Sequence, residues 1–420
     1  MFARLARATA LANGMPTQRQ AFVPQPVVDR TAAELRAYIE GTDAVSKRPF
    51  MQEVIEGLSS PLAAEDLKGM TFERATPRLL PPDTEDNLQR LFIDRKWTDF
   101  LPVVLPTEAR VAAMLKGTRQ PPDKVVARLS PTAFRESWEV TVEKVAVNAV
   151  MAGCRPEYLP VVLAMVASGM TARSSSTTSF AGIGVVNGPI RNEVGMDAGI
   201  GAMGPFNHAN ATIGRAWNLA SINGQGGSTP DETYMGTLGN WYGYSATFPE
   251  NEEKSPWAAL HTRYGFKPGD SAVTVFRGGR YTQGGFGPRE TWKEKFKRVF
   301  AACAARQAPL IVMDPIVAEL FVGLGFDSKD KLIAWIAENA TLPAREWWDD
   351  QWVQTLIHPL AVAGVEPYAT NLKAKPDDLL KIFQPHEINI VVTGGRTQGA
   401  WKIYEGVRPK DGTVSIDAWR

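Results

Sequence analysis

Cysteine and histidine are scarce in this chain. Its 420 residues hold two cysteines, Cys154 and Cys303, and four histidines, His208, His261, His358 and His386. Two cysteines are too few for a disulfide framework or a cysteine-rich zinc site. No His-x-x-x-His pair presents two metal ligands on one helix face. Charge of one sign is lacking too: 46 Lys and Arg stand against 45 Asp and Glu, a net charge of +1. No global basic field therefore exists to hold nucleic acid or an anionic membrane. No run of 18 apolar residues offers a membrane-spanning helix. The glycine-rich strand ends match neither the dinucleotide fingerprint GxGxxG nor the phosphate loop GxxxxGK[ST]. These absences lead us to expect a reduced, cytoplasmic chain with no evident cofactor or structural metal.

The length exceeds one ordinary core, so two closely packed domains or one large lobed domain are expected. The first 20 residues carry three arginines and no acid. They read either as a transit peptide or as an arm that packs on a neighbouring subunit of a homo-oligomer, and the second is the expectation here. Residues 1–95 form an N-terminal helical region with proline-rich connectors such as 77-PRLLPPD-83; 31-TAAELRAYIEG-41 opens on a Thr N-cap with Glu34 three residues on.

Beyond residue 95 the chain repeats itself. A strand–proline–helix junction at 101-LPVVLPTEARVAAML-115 has a counterpart at 309-PLIVMDPIVAELFVGLGF-326. Each is followed by Phe-x-Pro, a polar turn, a β-branched strand and Gly-Gly-Arg: 266-FKPGDSAVTVFRGGR-280 and 383-FQPHEINIVVTGGR-396. The pattern predicts an α/β protein of two related lobes, 96–290 and 291–420, with mainly parallel strands flanked by helices. Between them, about 171–256 is a glycine-rich irregular insert, and long ordered irregular stretches tend to be functional.

The strand ends supply the first candidates. Two glycines let backbone N–H groups approach a ligand, and an arginine fork suits a carboxylate or phosphate. Arg280, Arg396 and, after the related 185-VVNGPIR-191, Arg191 are candidate anion anchors; each alternatively ties down a loop. Cys154 follows a helix end and precedes Arg155 and a new helix, a setting that lowers a thiol pKa, against the alternative of a small buried residue in a tight turn. Cys303 lies on an alanine-rich helix and reads as core. In 248-FPENEEKSPWAALHTRYGF-266, Ser255-Pro256-Trp257 reads as a helix start. Glu252, Glu253 and His261 are acid–base candidates, with a solvated helix start as the alternative for the glutamates. Asn207, His208, Asn210, Thr212 and Arg215 surround a helix start suited either to a polar substrate or simply to capping. The tryptophans of 346-EWWDDQW-352 read as helix packing or a subunit contact.

Four stretches carry a resemblance: VNGPI at 186–190, GPFNHANATIGRA at 204–216, the segment ENEEKSPW with its histidine and Gly-Phe at 250–266, and AGCRPEYLPVVLA at 152–164. Over about residues 100–400 the chain resembles a widespread, poorly characterised bacterial family. Similar proteins are often associated with a separate domain bearing a Sec/Cys-Gly-Ser-Cys redox motif. That motif is absent here, so the resemblance implies small-molecule metabolism with any redox partner on another polypeptide; it assigns no catalytic residue. Together these readings predict an enzyme cleaving or reducing a carbon–heteroatom bond in a small anionic substrate, with either the Cys154 thiol or the Glu253/His261 pair as nucleophile or acid–base group. A cofactor-free hydrolase or lyase is the alternative within enzymes. A binding or scaffold subunit of a redox complex is the alternative outside them.

Overall fold

Thr31, Thr107, Thr141 and Ser328 each accept a hydrogen bond from the backbone N–H three residues on, and each opens a helix. The computed structural model of the chain describes residues 14–27, 30–62, 77–129, 138–173, 181–225, 247–278, 280–285, 289–303, 309–405 and 412–420, with single positions and short pieces elsewhere. The helical N-terminal region holds α1 (Ala32–Glu40), α2 (Phe50–Ser59) and α3 (Glu85–Asp94), and α4 (Glu108–Leu115) follows it. A small hairpin of β1 (Val125–Leu129) and β2 (Trp138–Thr141) leads into α5 (Val142–Ala152) and α6 (Leu159–Ala167). Then come β3 (Ala181–Asn187), α7 (Ile190–Glu193), α8 (His208–Gln225), β4 (Thr247–Pro249), β5 (Ala272–Gly278) and β6 (Arg280–Gly285). The rest is α9 (Trp292–Ala301), β7 (Leu310–Met313), α10 (Pro315–Gly323), α11 (Lys329–Asn339), β8 (Thr341–Pro343), α12 (Ala344–Asp349), the short α13 (His358–Val362) and α14 (Tyr368–Asn371), β9 (Leu379–Lys381), β10 (Asn389–Val392), β11 (Ala400–Glu405) and β12 (Thr413–Ser415), with short 3-10 and π turns between them.

Two four-stranded sheets organise these elements, in the orders β12-β5-β3-β4 and β10-β7-β11-β6. Side chains alternate across each strand, and both faces of both sheets contribute buried residues. Ile183, Val185, Phe248 and Phe276 of the first sheet meet Leu310, Val312, Val391 and Tyr404 of the second in one apolar layer. The outer face of the first sheet, with Val186, Val273 and Val275, packs on α5, α6 and α8. The outer face of the second, with Ile311, Met313, Ile390 and Ile403, packs on α9, α10, α11 and α12. The layers therefore run helix, sheet, sheet, helix. Among the described residues no helix is long and apolar enough to cross a membrane.

The two sheets share one topology. β3 pairs in parallel with β4 and antiparallel with β5; β7 pairs in parallel with β10 and antiparallel with β11. The fourth strand of each is supplied by the other half of the chain. β6 follows β5 in sequence yet pairs with β11, while β12 follows β11 yet pairs with β5.

Three expectations change. The strands are not mainly parallel: of the eight described pairings only β3–β4 and β7–β10 are, because each half turns back on its third strand and then crosses over. Residues 101–105 form no strand. The Gln89 side chain both donates to the Val103 carbonyl and accepts from its N–H, occupying the groups a ladder would use; the counterpart of β7 is β3. Ser255 does not start a helix either, since its hydroxyl accepts from Trp257 N–H and donates to the Trp257 carbonyl in a local turn, and helical turns begin only at Leu260. The tryptophan patch is helix packing: Trp347 is buried in the second core and Trp348 donates to the Asn371 carbonyl. Cys303 is core, as expected.

Close packing of α8 on the first sheet depends on a missing side chain. A Cβ on Gly182 would stand 2.0 Å from the Trp217 ring. Gly182→Ala is expected to destabilise by about 1–3 kcal/mol through overpacking, read as a lower urea midpoint. Gly323→Ala, where nothing lies within 4 Å, serves as the control and should be neutral or mildly stabilising.

Candidate functional site

In each of the two parallel strand pairs, the face that builds the inter-sheet layer ends in a polar residue. Asn187 follows Ile183 and Val185 on β3, and Glu250 follows Phe248 on β4. Asp314 follows Leu310 and Val312 on β7, and Thr393 follows Val391 on β10. All four are buried. The correspondence extends to the backbone: Glu250 N–H donates to the Val186 carbonyl at 3.0 Å, and Thr393 N–H donates to the Met313 carbonyl at 3.0 Å. The two pairs of strand ends are joined directly, Asn251 N–H donating to Val392 O at 2.8 Å and the Thr393 hydroxyl to Pro249 O at 2.8 Å. Ligands of open α/β sheets sit at such carboxyl ends.

At the first pair of ends the Glu250 carboxylate is fully enclosed. Its Oε1 accepts from Lys329 Nζ at 2.7 Å, and its Oε2 from Asn187 Nδ2 and Leu260 N–H, each at 2.7 Å. Lys329 begins α11, so this bond joins the two halves. Glu252 Oε1 accepts from Asn187 Nδ2 at 3.0 Å, from Gly188 N–H at 2.8 Å and from Arg191 Nε at 3.1 Å. Arg191 is buried. It donates to the Gly188 and Glu250 carbonyls and forks onto Glu253 at 3.1 and 3.2 Å. That fork holds the Glu253 carboxyl down at about 2, well below its ordinary 4.5.

At the second pair, Asp314 caps α10, accepting from Val317 N–H at 2.9 Å and Ala400 N–H at 2.7 Å; burial outweighs these bonds and pushes its pKa up. Gly394 adopts φ +95, and a Cβ on Gly395 would stand 2.2 Å from Ile200. The glycine-rich loop 195–206 thus lies over this turn, held by Ala198 O, which accepts from Gly394 N–H and from Asn251 Nδ2. Arg396 is half-exposed and pairs with Glu319, likewise half-exposed; Arg396 Nη2 donates at 2.8 Å. Lys254 also acts on Glu319 through its charge.

The remaining candidates separate from these ends. Cys154 packs against the helical core and donates to Thr212 O. The setting expected to lower its pKa does the reverse: burial pushes the thiol up to about 12, against the weaker pull of the Thr212 bond and the Arg215 charge. Asn207 caps α8, accepting from Ala209 and Asn210 N–H, and Asn210 holds the glycine-rich loop through Asp197 and Ala202. His208 Nδ1 lies 3.3 Å from the Tyr158 hydroxyl, and Thr212 bonds back to His208 O. Arg215 is committed to the buried Asp99 and to Pro102 O. His261 is fully buried, its Nε2 on Lys267 O at 3.0 Å and its Nδ1 without a partner among the described residues. The side chain of Arg280 lies outside the described residues.

Sequence reasoning missed Asn187, Glu250, Asp314 and Lys329 as a group. Asn187-Gly-Pro-Ile and Asp314-Pro-Ile were legible as matching strand ends; nothing local marks Lys329. A mostly apolar cavity of about 880 Å³ lies elsewhere, between the 78–82 segment, Phe92, Trp97, Val147, Met151 and Ala220, and none of the candidate residues lines it. Among the described residues no group of three His, Cys, Asp or Glu is placed to hold a metal ion. No family model matches the chain, and no curated protein matches it.

Lys329→Met leaves Glu250 buried without its cation and is expected to cost about 3–5 kcal/mol in chemical denaturation. Adding Glu250→Gln should recover part of that loss; a single-variant cost under about 1 kcal/mol, the level of an exposed pair, would remove the pair from the role given to it. Because the Glu253 pKa is depressed on folding, its contribution is present above about pH 4.5 and lost as the pH falls towards 2. The stability gap between wild type and Glu253→Gln should narrow across that window; a gap that stays constant removes the linkage.

Proposed function

We propose that the chain is an enzyme acting on a small carboxylate-bearing molecule at the carboxyl ends of β7 and β10, with Arg396 as the anion anchor. One observation carries the choice of arginine. Arg191 is buried and already engages carboxylate or carbonyl partners through all three of its nitrogens, whereas Arg396 has an exposed partner in Glu319. An exposed ion pair is worth about 0–1 kcal/mol, so a ligand carboxylate can displace Glu319 at little cost. Gly394, Gly395 and Lys254 surround the same position.

For the chemistry, the thiol-assisted reading loses its support in the raised Cys154 pKa. The Glu253/His261 pair fares no better, because Glu253 is held ionised by Arg191. The hydrolase or lyase reading is favoured instead, with Asp314 as the acid–base group: it is the carboxyl at this junction whose protonated form burial favours. The shared topology of the two sheets supports two related lobes that arose by duplication, with Asn187 and Asp314 in matching places. The four-stretch resemblance supports the same broad class of small-molecule metabolism. A subunit contact through the N-terminal region is supported by α2, which buries no residue and leaves Met51, Ile55 and Leu58 exposed at helical spacing.

Arg396→Ala is expected to weaken carboxylate binding by roughly 1.5–3 kcal/mol, the range of a charged hydrogen bond, in calorimetric titrations with a panel of small carboxylic acids. Unchanged affinity across the panel would remove the anchor and the site with it.

A further inference from the structure

Asn187 has one group left over. Its Nδ2 donates to the carboxylates of Glu250 and Glu252, which fixes the orientation of the amide, because a carboxylate oxygen accepts and does not donate. Its Oδ1 is buried and without a partner among the described residues. An acceptor taken out of water without a donor is costly, so such a group asks for an explanation.

The surroundings specify what kind of donor is wanted. Glu250, Glu252 and Glu253 face Arg191 and Lys329, so the cluster carries one carboxylate more than it has cations. Glu252 is one-fifth exposed and engages its donors through Oε1, which leaves Oε2 towards solvent. An orphaned acceptor beside an uncompensated carboxylate suits a cationic N–H donor better than a neutral one. The strand ends that carry this cluster are bonded directly to those that carry Gly394, Gly395 and Arg396, through Asn251 N–H to Val392 O and the Thr393 hydroxyl to Pro249 O. Asn187 and Arg396 therefore stand on strand ends that are bonded to one another.

Resting on the reading of Arg396 as anion anchor, we propose that the ligand is an amino carboxylate, its carboxylate on Arg396 and its ammonium group on Asn187 Oδ1 and the Glu252 carboxylate. It enters beneath the 195–206 loop, whose Gly195 and Gly201 adopt φ +67 and +82 and whose hold on the strand ends runs through Ala198 and Ile200.

Isothermal titration of the full chain with ω-amino carboxylates of two to five carbons, the matching alkanoates and the matching alkylamines tests this. At least one amino carboxylate should bind about tenfold or more tightly than both of its single-charge analogues, the effect of one charged hydrogen bond. In Glu252→Gln the advantage over the alkanoate should shrink while alkanoate binding persists. Glu252 also holds Gly188 and Arg191, so that variant is accepted only with an unchanged circular dichroism spectrum, and the wild-type comparison stands without it. Alkanoates binding as tightly as amino carboxylates would overturn the proposal while leaving Arg396 as anchor; a water then suffices for Asn187. Carboxylate affinities indifferent to Arg396→Ala would overturn the anchor and this proposal together.

Discussion

The contact between Lys329 and Glu250 fixes how the two halves of this protein face each other. Glu250 ends a strand of the first sheet and is sealed from water, and Lys329 comes from the first turn of a helix that packs on the second. A carboxylate in that position is tolerable only with its cation and its two N–H donors in place. The bond therefore constrains direction as well as distance. It holds the ends of β3 and β4 against those of β7 and β10, and the glycine-rich loop, the Arg396 turn and the Asn187 amide all take their positions from that join.

Burial decides the role of each charged candidate. Arg191, Arg215 and Arg396 are alike in sequence, each close to a glycine-rich stretch, yet two are satisfied internally and one is exposed with a weak partner. The thiol of Cys154 shows the same rule from the other side. A neighbouring positive charge favours a thiolate, but desolvation outweighs it once the sulfur is packed against the helical core.

Local signals were legible in the sequence wherever the physics is local. The Thr31 cap with Glu34, the helix end just before Cys154, and the β-branched strands ahead of the two Gly-Gly-Arg copies all have counterparts in the structure. The neighbours of each strand were not legible. The Gly-Gly-Arg copies look equivalent over a dozen residues, yet β5 occupies an antiparallel inner position and β10 a parallel edge, and the first copy leads into a strand of the opposite sheet. The matching positions were instead Asn187 and Asp314, whose shared signature is only a strand end followed by Pro-Ile. Lys329 could not be found because its partner lies 79 residues away, and no spacing rule connects a helix start to a distant strand end.

The exchanged strands also set the order in which this protein can be completed. The first sheet takes its last strand from residues 413–415, and the tail beyond is tied back to the first half by Thr118 to Trp419, Gln120 to Ala418 and Ser271 to Asp417. During synthesis the N-terminal half therefore presents β5 as an open sheet edge until residues 413–415 leave the ribosome, a long-range closure of the kind that slows folding and invites mispairing.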